Sequence, residues 1–522
     1  MLDPWALVRA DEMRGLEART IDLGTPSSVL MERAGAGIVA ELDARCAAAL
    51  RHGVVVLAGP GNNGGDGFVV ARLFREGGLR VRVLLVAPES RVTGDARVAL
   101  RRWRRAGGRI EVVAGPEQGR VVDQALAGCG LVLDALFGTG LARPLDGAAA
   151  WLVDRVAGAI ARREAPPVCV AVDLPSGLAA DSGEPLGRVL PADLTLTLGA
   201  VKIGLVLPAG RRLAGEVVRV EIGLAAEALS AASDLPTWSC AAALSGVLPR
   251  RGEASHKGSH GHVLIVGGAP GRSGAAVLAA RAALRGGAGL VSVACPRESG
   301  PIVAASGPEW MTETWQGFSP TEWRARLERY DALVVGPGLG TTSEAARLVR
   351  WLVRSFAGPL VLDADALNVL APLRQPFRRA DNVLTPHPGE MARLCGLEVA
   401  AVQADRTGLA RRMAREWQAT VVLKGAATVV AEPRGHVAVN GSGGPLLAVG
   451  GTGDVLAGLI GALRGQGIDA FAAARVGAWL HGRAADRLAG RLGDRGLLAS
   501  ELADELPLAF AEIVPPVAGR KQ

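Results

Sequence analysis

The chain has 522 residues, too many for one hydrophobic core, so two or more domains are expected. Half of it is apolar (49%) and only 4% is aromatic; Val, Leu and Ala fill the deficit, as in parallel strands buried between helices. The formal net charge of +7 comes mostly from arginine, but Arg and Glu are interspersed, and the densest run, RRWRRAGGR (101–109), reads as a solvated helix face ending at Gly107-Gly108, which disfavours a nucleic-acid binder.

In chain order, the N-terminal stretch MLDPWALVRADEMRGLEART lacks the apolar core of a signal peptide, and no apolar run is long enough to span a bilayer. The expectation is a cytosolic protein without membrane contact. Six cysteines, at 46, 129, 169, 240, 295 and 395, show no CxxC spacing and suit reduced, packed thiols. An amphipathic pair of helices is predicted around 9–23 and 27–50. Strands follow at 54–58, 81–86, 131–136, 168–174, 194–199 and 217–223, separated by helices such as 68–76 and 93–106. That alternation predicts a doubly wound α/β domain.

After Gly223 the texture changes: the next segment has no apolar strand and is broken repeatedly by Ser, Pro and Gly. The expected organisation is a domain over 1–225, a linker over 226–245 and a second domain over 246–515. A second alternating series supplies strands at 262–268, 290–295, 332–338, 359–365, 382–387, 420–425, 428–432 and 436–441, with helices at 452–464 and 470–489.

Ligands of an open parallel sheet sit at the carboxyl ends of its strands. In the first half those ends carry GPGNNGGDG (59–67), DALFGTGLARPL (134–145), DLPSG (173–177) and GAVKIG (199–204), bringing Asn62, Asn63, Asp66, Asp134, Asp173, Ser176 and Lys202 to one crevice. The glycines at 59, 61, 64, 65 and 67 are expected to let backbone N–H groups approach an anion at a helix start. The loop lacks the GK[ST] ending of a Walker motif. Taken singly, the glycines read as a tight turn, Asp134 or Asp173 as a helix cap, Ser176 as a turn residue and Lys202 as a surface lysine in a hairpin. Their joint occurrence at four strand ends points to a site. Asn63, Asp134 and Ser176 are oxygen donors suited to a hard cation, leaving Asp66 and Asn62 for ligand hydroxyls or amides.

The motifs LMERAG (30–35), GNNGGDG (61–67), DALFGTGL (134–141), VDLPSGL (172–178) and GAVKIGL (199–205), in that order, resemble the NAD(P)H-hydrate epimerase family over residues 1–225. The resemblance implies a Rossmann-like three-layer domain that interconverts the R and S hydrates of NADH and NADPH beside a bound K⁺. It implies that Asn62, Asn63, Gly64, Gly65, Asp66, Gly138, Thr139, Gly140, Leu141, Ala142, Arg143, Pro144 and Asp173 meet the hydrated nucleotide, and that Asn63, Asp134 and Ser176 ligate K⁺. Where the family has proline on both sides of the lysine, Val201 and Ile203 flank Lys202 here. Asp173 and Lys202 are the expected acid/base pair.

In the second half, GGTGD (450–454) is a glycine turn into a helix, an anion hole of free N–H groups, with Asp454 either capping the helix or acting as a general base toward a phosphoryl acceptor. Other strand ends offer Lys424 and Thr428 around Gly425, His387 and Glu390, the backbone at Gly336, Gly338 and Gly340, and Asp363, Asp365 and Asn368. Lys257 follows from SHKGSHG, where His256, His260 and His262 lack the Cys or carboxylate support of a metal site.

HKGSHG (256–261), SGAAVLAARAALRGGAGL (273–290), GPGLG (336–340), DADALN (363–368), TPHPGE (385–390), KGAAT (424–428) and GGTGD together resemble the ADP-dependent (S)-NAD(P)H-hydrate dehydratase family, of the ribokinase-like superfamily, over 240–510. The resemblance implies an α/β fold around a sheet of about nine strands. It implies that Lys424, Gly425, Ala426, Ala427, Thr428 and Gly453 contact the adenine nucleotide, that Ala276, Gly338, His387 and Asp454 contact the hydrated cofactor, and that Mg²⁺ and ADP serve phosphoryl transfer. The expected protein is a bifunctional repair enzyme acting on NADHX and NADPHX with ADP, as a homo-oligomer. The alternatives are a ribokinase-like small-molecule kinase carrying an N-terminal nucleotide-binding module, since GxGD is shared across that superfamily, and a first half that binds without catalysing.

Overall fold

The computed structural model describes residues 4–230 and 234–514. Residues 231–233 of the expected linker, and 1–3 and 515 at the ends of the expected domains, lie outside the described residues. The chain divides into two compact units, Met1–Leu235 and Pro236–Gln522.

The first unit contains β1 (Leu7–Val8), β2 (Val54–Ala58), β3 (Val81–Leu85), β4 (Ile110–Val112), β5 (Leu131–Ala135), β6 (Val168–Val172), β7 (Leu194–Leu198), β8 (Val201–Lys202) and β9 (Glu216–Val220). Seven of these form one all-parallel sheet in the order β4-β3-β2-β5-β6-β7-β9. Counted from β2, that is the Rossmann order 3-2-1-4-5-6 extended by one strand, and its topological switch point lies between β2 and β5. Alternation along β2 shows why three layers form. Val54, Val56 and Ala58 face helices Ser27–Arg45, Asn62–Glu76 and Gly94–Arg105, while Val55 and Leu57 face helices Gly119–Leu126 and Gly147–Ala161.

The helix predicted at 68–76 starts at Asn62, so most of the glycine-rich stretch is its first two turns and not a loop. Its glycines serve close packing. A Cβ on Gly59 would stand 2.0 Å from the Leu136 carbonyl oxygen, and one on Gly64 would stand 1.9 Å from the Gly59 oxygen. The helix start is thereby pressed against the ends of β2 and β5.

The second unit holds β10 (Thr237–Ser239), β11 (His262–Val266), β12 (Leu290–Pro296), β13 (Met311–Trp315), β14 (Ala332–Val335), β15 (Leu360–Leu362), β16 (Val383–Leu384), β17 (Thr420–Leu423), β18 (Val429–Ala431) and β19 (Val437–Asn440). They make one ten-stranded sheet, ordered β10-β19-β18-β17-β16-β15-β14-β11-β12-β13, parallel except where β18 runs against β17 and β19. Leu264 and Val266 face helices that include Ser343–Ser355 and Arg406–Trp417; Val263 and Ile265 face Ser273–Arg285, Thr452–Gly465 and Ala470–Leu492.

Both edge strands escaped the sequence reading, because TWS and MTETW are short, polar and half-exposed. β10 pairs with β19 from within the stretch expected to be a linker, so 237–239 is part of the second sheet and not a connector. Helices Ser273–Arg285 and Thr452–Gly465 cross through small residues, and a Cβ on Gly458 would stand 2.0 Å from the Ala279 carbonyl oxygen. Alanine is favoured over glycine in a helix by only about 1 kcal/mol, whereas overpacking costs about 1–3 kcal/mol. Gly458→Ala is therefore expected to lower the stability of the second unit, read as an earlier calorimetric transition, and an unchanged transition would contradict this packing.

Candidate active sites

Four strand ends of the first unit converge at the switch point. Asp134, the fourth residue of β5, is fully buried. Its Oδ2 accepts from the Ser176 backbone N–H (2.8 Å), and its Oδ1 accepts from the Ser176 hydroxyl (2.7 Å) and the Leu136 N–H (3.2 Å). Burial nevertheless pushes its carboxyl up to about 6, against the pull of those bonds. The turn after β5 closes on the same group, with the Phe137 N–H donating to Ser176 Oγ (3.0 Å). A Cβ on Gly138 would lie 3.1 Å from Asn63 Oδ1 and 3.0 Å from Asp173 Oδ2, so those two side chains flank one point on that turn. Asn63 Nδ2 is buried without a partner.

Lys202 is not a surface hairpin lysine: it is fully buried. β8 places it in register with Val8 of β1, a parallel pairing that anchors the helix Ala10–Asp22 beside it. The flanking Val201 and Ile203 are buried too. Lys202 Nζ donates to Asp173 Oδ1 (2.5 Å) and to the Leu198 carbonyl (2.7 Å). Asp173 follows β6 with a left-handed φ of 67°, an unfavourable conformation for a non-glycine residue, and its Oδ1 also accepts from the Leu198 N–H (3.2 Å).

Two more carboxyls share this lysine. Asp66, buried in the helix Asn62–Glu76, is held well above the usual carboxylate range by burial, then by Asp173 and Glu17. Glu17, which the sequence reading missed, is raised by burial, with Lys202 pulling it back and Asp173 pushing it up. Asp66 and Glu17 thus share one buried cation with Asp173, and burial disfavours the ionised form of both. Asn62 is exposed and the stretch 138–144 is open at the surface, as a ligand rim requires.

In the second unit the loops after β11 and β14 join across the switch point: the Gly268 N–H donates to the Pro337 oxygen (2.9 Å) and the Ala269 N–H to the Gly338 oxygen (2.7 Å). Ala276 is fully buried behind Gly268, so it backs this rim. Beyond them, Lys424 Nζ donates to Asp363 Oδ1 (2.7 Å), which also accepts from the Thr385 hydroxyl (2.7 Å), and lies 3.8 Å from Glu390 Oε2. Burial opposes the charge on Lys424, but Asp363 and Glu390 outweigh it and its pKa is raised. Gly453 comes within 3.4 Å of Lys424 Nζ at its Cβ position. Asp454, one residue on, is pushed up to about 7, first by burial and then by Asp363, with Lys424 pulling the other way.

The GGTGD turn is fixed from behind. Gly451 caps the helix at φ 92°, and Thr452 Oγ1 donates to the Leu447 and Val449 oxygens at 3.1 and 3.0 Å. His481, driven down to about 4 by burial and hence neutral, donates from Nε2 to the Thr452 carbonyl (2.8 Å). Neither contact was legible in the sequence. His387 is half-exposed, and its Nδ1 accepts from the Gly389 N–H (3.0 Å) and Glu390 N–H (3.4 Å), so it caps the helix Pro388–Cys395 as well as bordering the site. Asp365 accepts from the Gly340 N–H (2.8 Å) and Arg272 (3.2 Å). Gly425 and Ala426 are exposed, Ala427 and Thr428 half-buried. Lys257 stands exposed in a short turn, and His262 is occupied with the Ser292 hydroxyl (2.9 Å), apart from His256 and His260.

The sequence has only four lysines, at 202, 257, 424 and 521. That two of them lie in buried carboxylate clusters at strand ends, in a chain otherwise supplied with arginine, marks positions that need a compact, titratable cation. Two α/β units, each with such a cluster at its sheet's switch point or beside it, define a two-domain α/β enzyme.

Residues 27–204 match the family model described as YjeF-related protein N-terminus, and residues 263–508 match the one described as NAD(P)H-hydrate dehydratase. The chain is 41% identical over 519 residues to the bifunctional NAD(P)H-hydrate repair enzyme Nnr of Moorella thermoacetica, covering 97% of each, and 39% identical over 515 residues to that of Escherichia coli, covering 96% of this chain and 93% of the other. Among solved structures, it is similar to the ADP/ATP-dependent NAD(P)H-hydrate dehydratase of Bacillus subtilis co-crystallised with ATP/Mg²⁺, at 32% identity over 53% of this chain and 98% of that one, with a TM-score of 0.49. The chain belongs to the bifunctional NAD(P)H-hydrate repair enzyme family, in which an epimerase domain precedes a dehydratase domain.

Proposed function

We infer that the first unit moves its proton with Asp173 and Lys202, and the second with Asp454, using ADP as phosphoryl donor. The observation that carries this reading is the pair of buried carboxylate clusters, each built around one lysine at the strand ends. In the first unit the hydrated nucleotide lies over Asn62–Asp66, the rim 138–144 and Asp173. The hydroxyl leaves the hydrated carbon with a proton from this cluster, and water returns on the other face with its proton taken back.

In the second unit Lys424, the 425–428 backbone and Gly453 hold the nucleotide, while Gly338, His387 and Asp454 face the hydrate, with Ala276 supporting from below. Asp454 takes the proton of the hydrate's hydroxyl as its oxygen bonds to the terminal phosphorus of ADP and AMP departs. The resulting ester then breaks its C–O bond while the adjacent ring carbon gives up a proton, which leaves with the phosphate, and the restored double bond gives NAD(P)H. Asp363 and Glu390, the carboxylates beside Lys424, would hold Mg²⁺ against the nucleotide, where it would supply screening of the phosphate charge.

The donor set of Asn63 Oδ1, Asp134 and Ser176 Oγ carries one negative charge and two neutral oxygens, a chemistry that suits K⁺, while the unpartnered Asn63 Nδ2 is a donor left for an acceptor on the ligand. Bound K⁺ would fix the turn after β5 against the helix start. Ser176→Ala is expected to raise the K⁺ concentration for half-maximal epimerase activity about tenfold, the ~1.4 kcal/mol of one good contact. Because burial pushes the Asp134 carboxyl up to about 6, K⁺ activation should weaken as pH falls below about 6. Equal response to K⁺ and Li⁺ would remove the ion from the site.

No helix of the described residues is long and apolar enough to cross a membrane. The proposal includes a cytosolic homo-oligomer, read from its mass by light scattering, with the epimerase domain in 1–225 and the dehydratase domain in 246–515, the latter completed by β10. The decisive assay follows recovery of NADH absorbance from a mixed R and S hydrate, with ADP, with ATP and with neither. Full recovery with ADP supports both activities. Recovery of the S fraction alone leaves the first unit as a binding module, and a stable phosphate ester without free phosphate supports the small-molecule kinase.

A further inference from the structure

Arg406 is placed where a cation is unfavourable. It is the first residue of the helix Arg406–Trp417, at the positive end of the helix dipole. The neighbouring Asp405 forms no ion pair with it and instead caps the helix through the Gly408 N–H (2.8 Å). The guanidinium is partly buried, burial alone lowers its pKa, and among the described residues it forms no ion pair. The other arginine with a burial-lowered pKa, Arg464, is paired with Asp381.

Its hydrogen bonds instead run to the end of β17. Nη2 donates to the Leu423 oxygen (3.0 Å) and the Lys424 oxygen (3.3 Å), and Nη1 to Gln403 Oε1 (3.0 Å). The group lies against the 425–428 loop so closely that a Cβ on Gly425 would stand 2.6 Å from Nη1. That loop is bent: Gly425 has φ 134° and Ala427 has φ 52°, a left-handed conformation that a non-glycine residue adopts only when its surroundings impose it.

We propose that Arg406 is a positioning residue of the second unit's nucleotide site, clamping the Leu423 and Lys424 carbonyls so that the 425–428 amides and the Lys424 ammonium face the ligand, with its unneutralised charge answered by the phosphates of a bound adenine nucleotide. The inference rests on the nucleotide reading above and adds a residue from a different helix. An uncompensated guanidinium under a strained loop is costly in the empty protein and becomes favourable when a polyanion arrives, so affinity for the nucleotide should depend on it more than stability does.

The test uses the full chain with Arg406→Gln and Arg406→Lys, and titration calorimetry with ADP, ATP and AMP at two salt concentrations. For Arg406→Gln the expected result is ADP binding weakened about tenfold or more, as for loss of a charge-assisted bond, with a shallower salt dependence than wild type. The KM for the S hydrate and the epimerase rate of the same chain should stay unchanged. Arg406→Lys should recover the salt dependence but only part of the affinity, because one ammonium cannot bridge three oxygens in a planar fork. Unchanged ADP affinity and salt dependence in Arg406→Gln would overturn the proposal. So would a parallel loss of ADP affinity and hydrate KM that lysine does not relieve. If the wild-type chain binds neither ADP nor ATP, the nucleotide reading itself fails and this inference goes with it.

Discussion

Asp454→Asn is expected to lower ADP-dependent dehydration about 10²–10⁴-fold, the usual contribution of a positioned general base, while leaving epimerisation by the first unit intact. The argument rests on where the carboxylate sits. It lies in the first turn of a helix that would otherwise favour an anion, beside Asp363 and Lys424, and its carboxyl is pushed up to about 7. A base must be ionised to act, so kcat/KM of the wild type should rise with pH through about 7, and the variant should lose that limb.

The same shift has an opposite sign for stability. Between its ordinary 3.8 and about 7 the native state holds a proton at Asp454 that the unfolded chain has released, so the stability contribution of this group falls as pH rises across that window. Asparagine cannot ionise. Asp454→Asn should therefore raise the melting point of the second unit at pH 8, by up to ~4 kcal/mol of stability, and have little effect at pH 4. A variant that is both inactive and less stable at pH 8 would mean that Asp454 holds the turn together instead of acting as its strained base.

Lys202→Met should remove epimerase activity, by about 10²–10⁴-fold, and also destabilise the first unit. With the lysine gone, Asp173 remains buried beside Asp66 and Glu17 without a cation, and breaking a buried ion pair on one side costs about 3–5 kcal/mol. Asp173→Asn keeps the shape and removes the charge, so it should lose the activity with a smaller loss of stability. The double variant Asp173→Asn/Lys202→Met should be more stable than Lys202→Met alone, since it no longer buries a lone carboxylate. Dehydration of pure S hydrate by the second unit is the internal control. A Lys202→Met chain that melts normally and epimerises at the wild-type rate would take the pair out of the chemistry.

Much of the site was readable in one dimension because strand ends announce themselves: an apolar run stops, and a polar or glycine-rich residue follows. Asp134, Asp173, Asp363 and Lys424 were found that way. Glu17 was not, since a lone acid on an amphipathic helix is indistinguishable from a solvated one until β1 pairs with β8 and carries that helix to Lys202. Arg406 was hidden among many arginines, and only the carbonyls it holds separate it from its neighbours. His481 lies far along the chain from the turn it braces, and a histidine in a helix carries no mark of its partner.

The glycines of GPGNNGGDG show the same division. Their number and place between a strand and a helix could be read directly, but the reason assigned to them, approach of an anion to free N–H groups, was incomplete. In the folded unit Gly59 and Gly64 are required because the helix start is wedged against the ends of β2 and β5, where any side chain would strike a carbonyl oxygen.

The sequence by itself determined the alternation of strands and helices, the two families of motif and most of the polar groups at the strand ends, because each depends on local periodicity and on residues a few positions apart. The tertiary structure alone decided which strands are neighbours, that β10 and β13 complete the second sheet, which carboxyls share one buried lysine and how far each is pushed from its ordinary charge. Those properties arise from distances between residues remote in the chain and from the exclusion of water around them, and neither exists until the chain has folded.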